Sequence, residues 1–446
     1  MKHTVHQHWD PLKVCAVGRS FPPEFYSRIK NKKVRGAMEK VAIETEEDYQ
    51  KIISKLKEFD VEVVRTDVSD NVEDYCNAEG VVVEPPPMCP RDFTAMVGNN
   101  FYMPGKHYAQ NFNVDEIFDD LLWKLGQKNI SNINDPLACN LAQKIEDIFN
   151  PNHGATPRAS LLKFQSRVTG NKRFKYNGKE FKFYTLKHII DFTPLKEMII
   201  QAQCQTIGSN IKFPNNKRVH GLKSIEEWLN KNNVPIVYDE YINSATMTRL
   251  GKDLYFGNVN LIDGLSQENM KKKWQKLFPD NRIHPMQVGG HSDGYFCPVV
   301  PGLIITLKKP ETYKESFPDW EVVHLPDESW KKVDGFTKMK KKCKGKWWIQ
   351  GEEDNDDLVD YIETWLGDWV TYVEETVFDV NMLVIDEKNV MCNGYNKKVY
   401  DAFERYGITP HVVNFRHRYF WDGGLHCNTS DISRTGDMKD FFPERD

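Results

Sequence analysis

A chain of 446 residues with net charge −4, 40% hydrophobic and 28% charged residues has the make-up of a soluble globular protein, which excludes a tail-dominated or strongly basic one. Its apolar runs, such as Val299-Val300-Pro301-Gly302-Leu303-Ile304-Ile305, are far too short to span a bilayer. Nine cysteines without CxxC spacing fit reduced thiols rather than a disulfide framework.

The opening Met1-Lys2-His3-Thr4-Val5-His6-Gln7-His8 lacks a signal-peptide core and transit-sequence character, so a cytoplasmic location is expected. Its histidines read as an exposed tail. Tyr49, Ile52, Ile53, Leu56 and Phe59 mark one helix face, followed by a strand at Val61-Glu62-Val63-Val64. Thr94-Ala95-Met96-Val97 turns at Gly98-Asn99-Asn100 into Phe101-Tyr102-Met103. Within 115–233 the alternating stretch from Arg173 to Phe183 predicts a hairpin around Asn177-Gly178. Its basic and aromatic residues would suit nucleic acid, but the slightly negative chain favours a solvent-facing hairpin. Lys338 to Lys346, running into Glu352 to Asp357, predicts an exposed flap. Met382 to Ile385 turns into Val390 to Cys392, then a helix from Lys397 to Tyr406, Gly407 and a strand His411 to Asn414. Repeated ββαβ units in an α/β chain are the expected architecture.

Gly423-Gly424-Leu425-His426-Cys427 presents one thiol beside a glycine pair, and Gly289-Gly290-His291-Ser292-Asp293 presents a histidine and a carboxylate beside another. A thiol, an imidazole and several carboxylates suit covalent catalysis on a cationic carbon centre, because a guanidinium pairs with carboxylates two hydrogen bonds at a time. The residue types alone leave open that Cys427 is an inert thiol and His291 a loop residue. Cys297 is a second candidate thiol, though Pro298 and the apolar run after it point to a buried strand.

Six blocks recur in order: Trp9-Asp10-Pro11-Leu12 with Val17-Gly18-Arg19, Met88-Cys89-Pro90-Arg91-Asp92 with Val97-Gly98-Asn99, Gly251-Lys252-Asp253, His291-Ser292-Asp293 with Pro301-Gly302, Asn381 through Lys388, and His426-Cys427. Together they resemble the glycine amidinotransferase family of the guanidino-group-modifying superfamily. The resemblance implies a five-bladed α/β propeller, the pentein fold, as one domain over 1–446 with a divergent insertion at 115–233. It implies Cys427 as the nucleophile that takes an amidino group, His291 as general acid and base, and Asp253 as the carboxylate orienting that histidine. Asp92 and Asp293 would grip the guanidinium, with Arg91 also on the substrate side. Lys308-Lys309 falls near the place of a family arginine, and Glu374 and Glu375 near that of paired serines. Lysine lacks the bidentate fork, and two acids at the site would repel a carboxylate and attract an amine, unless they form a solvated helix face.

The expected function is amidino transfer from L-arginine, or a close guanidino analogue, to a primary amine such as glycine by a ping-pong route. A guanidine hydrolase with the same residues is the alternative, and a lapsed binding protein a third. The expected partners are small molecules alone, without cofactor, metal, nucleic acid or membrane, and a homodimer is left open.

Overall fold

In the computed structural model the described residues are 2–76, 80–82, 85–103, 174–176, 179–181, 221–239, 242, 244–257, 267–286, 291–325, 347–366, 369 and 379–445. The chain divides into two compact units, one of Met1–Met103, Val219–Val259 and Gln267–Asp446, the other of Pro104–Arg218 and Asn260–Ser266.

In the first unit β1 (Leu12–Val17) leads through α1 (Lys32–Glu58) to β2 (Glu62–Arg65), its parallel neighbour. The helix starts where the Asn31 side chain accepts from the amides of Lys33 and Val34. Of its predicted face Tyr49, Ile52, Ile53 and Leu56 are buried, while Phe59 caps the helix and is partly buried. β3 (Ala95–Val97) turns into antiparallel β4 (Asn100–Met103) at the predicted glycine, Gly98, whose φ is +57°. The second unit contributes the predicted hairpin, β5 (Phe174–Tyr176) and β6 (Lys179–Phe181), while Asn177 and Gly178 lie outside the described residues.

Back in the first unit, α2 (Lys223–Lys231) precedes β7 (Ile236–Tyr238), parallel to β4. The pattern repeats in β8 (Met247–Leu250), β9 (Asp253–Phe256), α3 (Gln267–Leu277) and β10 (Arg282–Pro285). It repeats again in β11 (Phe296–Val300), β12 (Leu303–Thr306) and β13 (Glu321–His324). After α4 (Asp356–Trp365) come β14 (Leu383–Asp386), β15 (Asn389–Cys392), α5 (Lys397–Tyr406) and β16 (Thr409–Val412). Finally α6 (Arg418–Trp421) leads to β17 (Thr429–Arg434), antiparallel to β1. The described residues therefore form five three-stranded sheets of one plan, each central strand having an antiparallel and a parallel neighbour.

The structure shifts several expectations. β16 starts at Thr409 rather than His411, because the amide of Thr409 bonds the carbonyl of Lys388 and pulls Pro410 into the edge strand. The opening residues are no exposed tail: Val5, Gln7, His8 and Trp9 are buried, and His8 Nε2 accepts from the Arg249 amide at 3.2 Å. Asp356 and Asp357, expected in a flap, form the first turn of α4, where acids complement the helix dipole. Lys338 to Lys346 lie outside the described residues. No helix among the described residues is long and apolar enough to cross a membrane.

Candidate active site

The thiol segment is a tight turn between α6 and β17. Asp422 adopts a left-handed conformation (φ 50°), the Asn428 amide bonds the Gly424 carbonyl at 3.2 Å, and the Thr429 amide bonds that of His426 at 3.2 Å. The pair Gly423-Gly424 is needed at its second member. A Cβ on Gly424 would lie 2.6 Å from Asn381 Oδ1 and 3.0 Å from Asn381 Cβ. Gly424→Ala should therefore push Asn381 out of place and lower activity by about 10²-fold with the fold retained, the cost of displacing a site by about an ångström. A near-normal kcat with an unchanged circular dichroism spectrum would refute this.

Asn381 was not assigned a role from the sequence, yet it organises the turn. Its Oδ1 accepts from the backbone amides of His426 (2.9 Å) and Cys427 (3.1 Å), and its Nδ2 donates to Cys427 Sγ at 2.9 Å. Cys427 Sγ also lies 3.6 Å from Asp293 Oδ2. That oxygen in turn accepts from His426 Nδ1 at 2.8 Å. Burial, reinforced by the Arg91 guanidinium, lowers the His426 pKa to about 4, so the ring is neutral and donates through Nδ1. Burial opposes ionisation of Asp293, but the His426 hydrogen bond and the positive charges of His291 and Arg91 outweigh it and hold the carboxyl below its usual range.

His291 precedes and Asp293 lies within the short turn Ser292–Gly294, fastened by Ser292 Oγ to the Ala245 carbonyl at 3.0 Å. Gly289 and Gly290 lie outside the described residues. His291 Nδ1 is 3.9 Å from Asp92 Oδ1, and its side chain is 49% exposed. Crowding by the protein disfavours its charge, but the carboxylates of Asp92, Asp293 and Asp422 outweigh this and raise its pKa. For Asp92 burial dominates and, with Asp293 and Asp422 opposing the charge of His291, lifts its pKa to about 6. Asp422 is thus a third carboxylate whose charge reaches the site, a residue the sequence reading passed over. Asp92 Oδ1 and Asp293 Oδ1 are both buried without a hydrogen-bond partner among the described residues. Two such oxygens suit a cation with several N–H donors.

Two expected site residues face elsewhere. Asp253 makes no ion pair with His291. It sits opposite Arg282 in the parallel pairing of β9 and β10, and Arg282 with His284, two residues on, occupies the same side. Its oxygens receive His284 Nε2 (2.6 Å), Arg282 Nη2 (2.7 Å) and Arg445 Nη1 (3.3 Å). The carboxylate that stands near His291 is that of Asp92, at 3.9 Å. Arg91 is fully buried, and its Nε donates to the carbonyls of His426 (2.6 Å) and Thr429 (2.7 Å), so it braces the thiol turn. Glu374 and Glu375 lie outside the described residues. The Lys308 ammonium sits 4.6 Å over the ring of Tyr295. Cys297 is buried in β11, and burial with the nearby Asp293 charge pushes its thiol to about 12. A thiol held protonated in this way is a poor nucleophile. No group of three His, Cys, Asp or Glu side chains that could hold a metal occurs among the described residues.

No protein-family model matches the chain. The mitochondrial glycine amidinotransferase of Xenopus laevis is 24% identical over 210 residues, which are 46% of this chain and 41% of that protein. The L-arginine:L-lysine amidinotransferase of Pseudomonas savastanoi pv. phaseolicola is 22% identical over 254 residues, 56% of this chain and 59% of its own length. The match therefore spans less than two thirds of either relative. Among solved structures, SxtG, an amidinotransferase from Microseira wollei, is similar at a TM-score of 0.48 and 16% identity, covering 99% of this chain and 100% of that one. Inosamine-phosphate amidinotransferase StrB1 from Streptomyces griseus is similar at 0.48 and 15%, covering 98% and 99%.

Proposed function

From a chain that is a relative of the amidinotransferases of the pentein superfamily, we propose an enzyme that moves an amidino group from L-arginine, or a close guanidino analogue, to a primary amine through a covalent adduct on Cys427. The observation that carries this reading is the convergence of Cys427 Sγ, the Asp293 carboxylate 3.6 Å away and the His291–Asp92 pair. Asp92 and Asp293 hold the guanidinium of the donor and leave its carbon open to the sulfur. The thiolate attacks that carbon, the C–N bond breaks, and His291, kept cationic by its carboxylates, gives the departing amine its proton. In the second half an incoming amine attacks the same carbon, His291 takes the amine's proton, and the C–S bond breaks to restore the thiolate. The five sheets of one plan support a propeller in which the turns after successive strands meet at this centre.

Mass spectrometry of products from arginine, with and without a panel of amines, tests the reading. Transfer requires that an amine accelerate turnover and carry the amidino group in the product. Release of urea or citrulline regardless of amine would assign a hydrolase instead.

The pH dependence follows from Asp92. With its pKa near 6, this carboxylate loses its charge as pH falls through about 6 and with it half of the guanidinium grip. KM for a cationic donor should rise in that window. Asp92→Asn should show the high KM at every pH and a flattened profile. A wild-type KM that is flat between pH 5 and 7 would refute this role.

A further inference from the structure

We propose that Asn381 is a catalytic residue whose side-chain N–H steadies the sulfur of Cys427 as a thiolate, before attack and again when the C–S bond breaks. The inference rests on the reading of Cys427 as the nucleophile. Asn381 is fully buried two residues ahead of the strand pair β14–β15, and its own carbonyl accepts from Asn393 Nδ2 at 2.8 Å. It is not a mobile side chain passing the thiol.

Which end of an asparagine amide is oxygen must be read from its neighbours. Here the neighbours decide it. The amides of His426 and Cys427 both point at one atom, at 2.9 and 3.1 Å, and only an oxygen can accept from two N–H donors. The atom on the sulfur, at 2.9 Å, is therefore the nitrogen. Its remaining proton faces the Asp293 carbonyl at 3.4 Å.

A hydrogen bond to a charged acceptor is roughly twice as strong as one to a neutral acceptor, so this donor favours thiolate over thiol. It works against Asp293, whose carboxylate at 3.6 Å disfavours a second anion. The donor amide and the bound guanidinium both act on the thiolate's side of that balance. A donor to sulfur also tempers nucleophilicity while improving the leaving group. Its larger effect should therefore fall on the second half of the reaction, in which the amine adds to the amidino carbon, its proton passes to His291 and the C–S electron pair returns to sulfur.

Asn381→Asp separates the two duties of the side chain, because a carboxylate still offers an oxygen to both backbone amides but has no donor for the sulfur. Asn381→Ala removes the donor without adding a charge. Two measurements are made on variants whose circular dichroism matches wild type. In the first, alkylation of Cys427 by iodoacetamide is followed against pH, with modification located by peptide mass. The midpoint should move upward by at least about one pH unit in both variants, more in the aspartate, on the scale of a charged hydrogen bond. In the second, enzyme loaded with amidino groups from arginine is chased with amine. Decay of the adduct should slow about 10- to 100-fold, and its formation distinctly less.

Superimposable alkylation profiles, or equal slowing of formation and decay, would overturn the role of Asn381 and leave it a purely structural clamp. A wild type whose Cys427 alkylates with the expected difference from the variants, yet never carries an amidino mass, would instead overturn the transfer reading and leave the thiolate–amide pair standing.

Discussion

Cys427→Ser should lower turnover by on the order of 10⁴-fold or more and leave the fold unchanged. A hydroxyl needs a general base to become a nucleophile, and the two side chains described against this sulfur, Asn381 and Asp293, do not supply one. Asn381 offers a donor there, and the Asp293 carboxyl, held below its usual range and already accepting from His426, is a weak base. Sulfur and oxygen differ little in size, so the turn built on Asn381, Gly424 and Asn428 should survive. Incubation of wild type with arginine should add one amidino mass to the peptide carrying Cys427. Mass on the Cys297 peptide, or a serine variant with more than about 1% of wild-type turnover, would sink the assignment.

Asp431→Asn should destabilise the protein by about 3–5 kcal/mol, the scale for breaking a buried ion pair by removing one partner. Asp431 is fully buried on β17 and takes Arg249 Nη2 on both oxygens, at 2.7 and 2.9 Å, and Arg434 Nε at 2.8 Å. The Arg91 guanidinium stands 3.6 Å away. Burial works against the carboxylate's charge, yet these guanidiniums hold its pKa well below the ordinary range. Neutralising it leaves buried arginines facing one another without a counterion. Urea or thermal unfolding measures the loss. A cycle with Arg249→Met should return a coupling of about 1–3 kcal/mol, and strict additivity would show that the cluster contributes nothing as a pair.

Much of the frame was legible because local chemistry and packing agree. The helix face at Tyr49 to Leu56, the Gly98 turn and the α5 span with its left-handed Gly407 follow from periodicity and capping, and tertiary structure does not oppose them. The polar strand Thr429–Arg434 was not legible as core. Every residue of it is buried, and only the arrival of Arg249 and Arg91 from distant segments makes a buried Asp431 tolerable. The same reason explains the site. Cys427, His291, Asp92 and Asp293 could be named from their blocks, but their partners come from elsewhere in the chain. Asn381, 46 residues from Cys427, and Asp422 carry no local signature of their roles. Asp253 pairs away from His291 for the converse reason, since parallel pairing sets it beside Arg282 and His284.

The sheet formed by β17, β1 and β2 also sets a timetable for biosynthesis. Strand β1 and its helix are translated well before their antiparallel neighbour, which follows the other strands of the described residues. Until then β1 presents an open edge, the kind of surface on which nascent chains mispair. The thiol emerges just ahead of that last strand, at Cys427, 46 residues after the Asn381 that clamps it. A polypeptide that ends upstream of Thr429 should therefore expose the edge of β1 and aggregate.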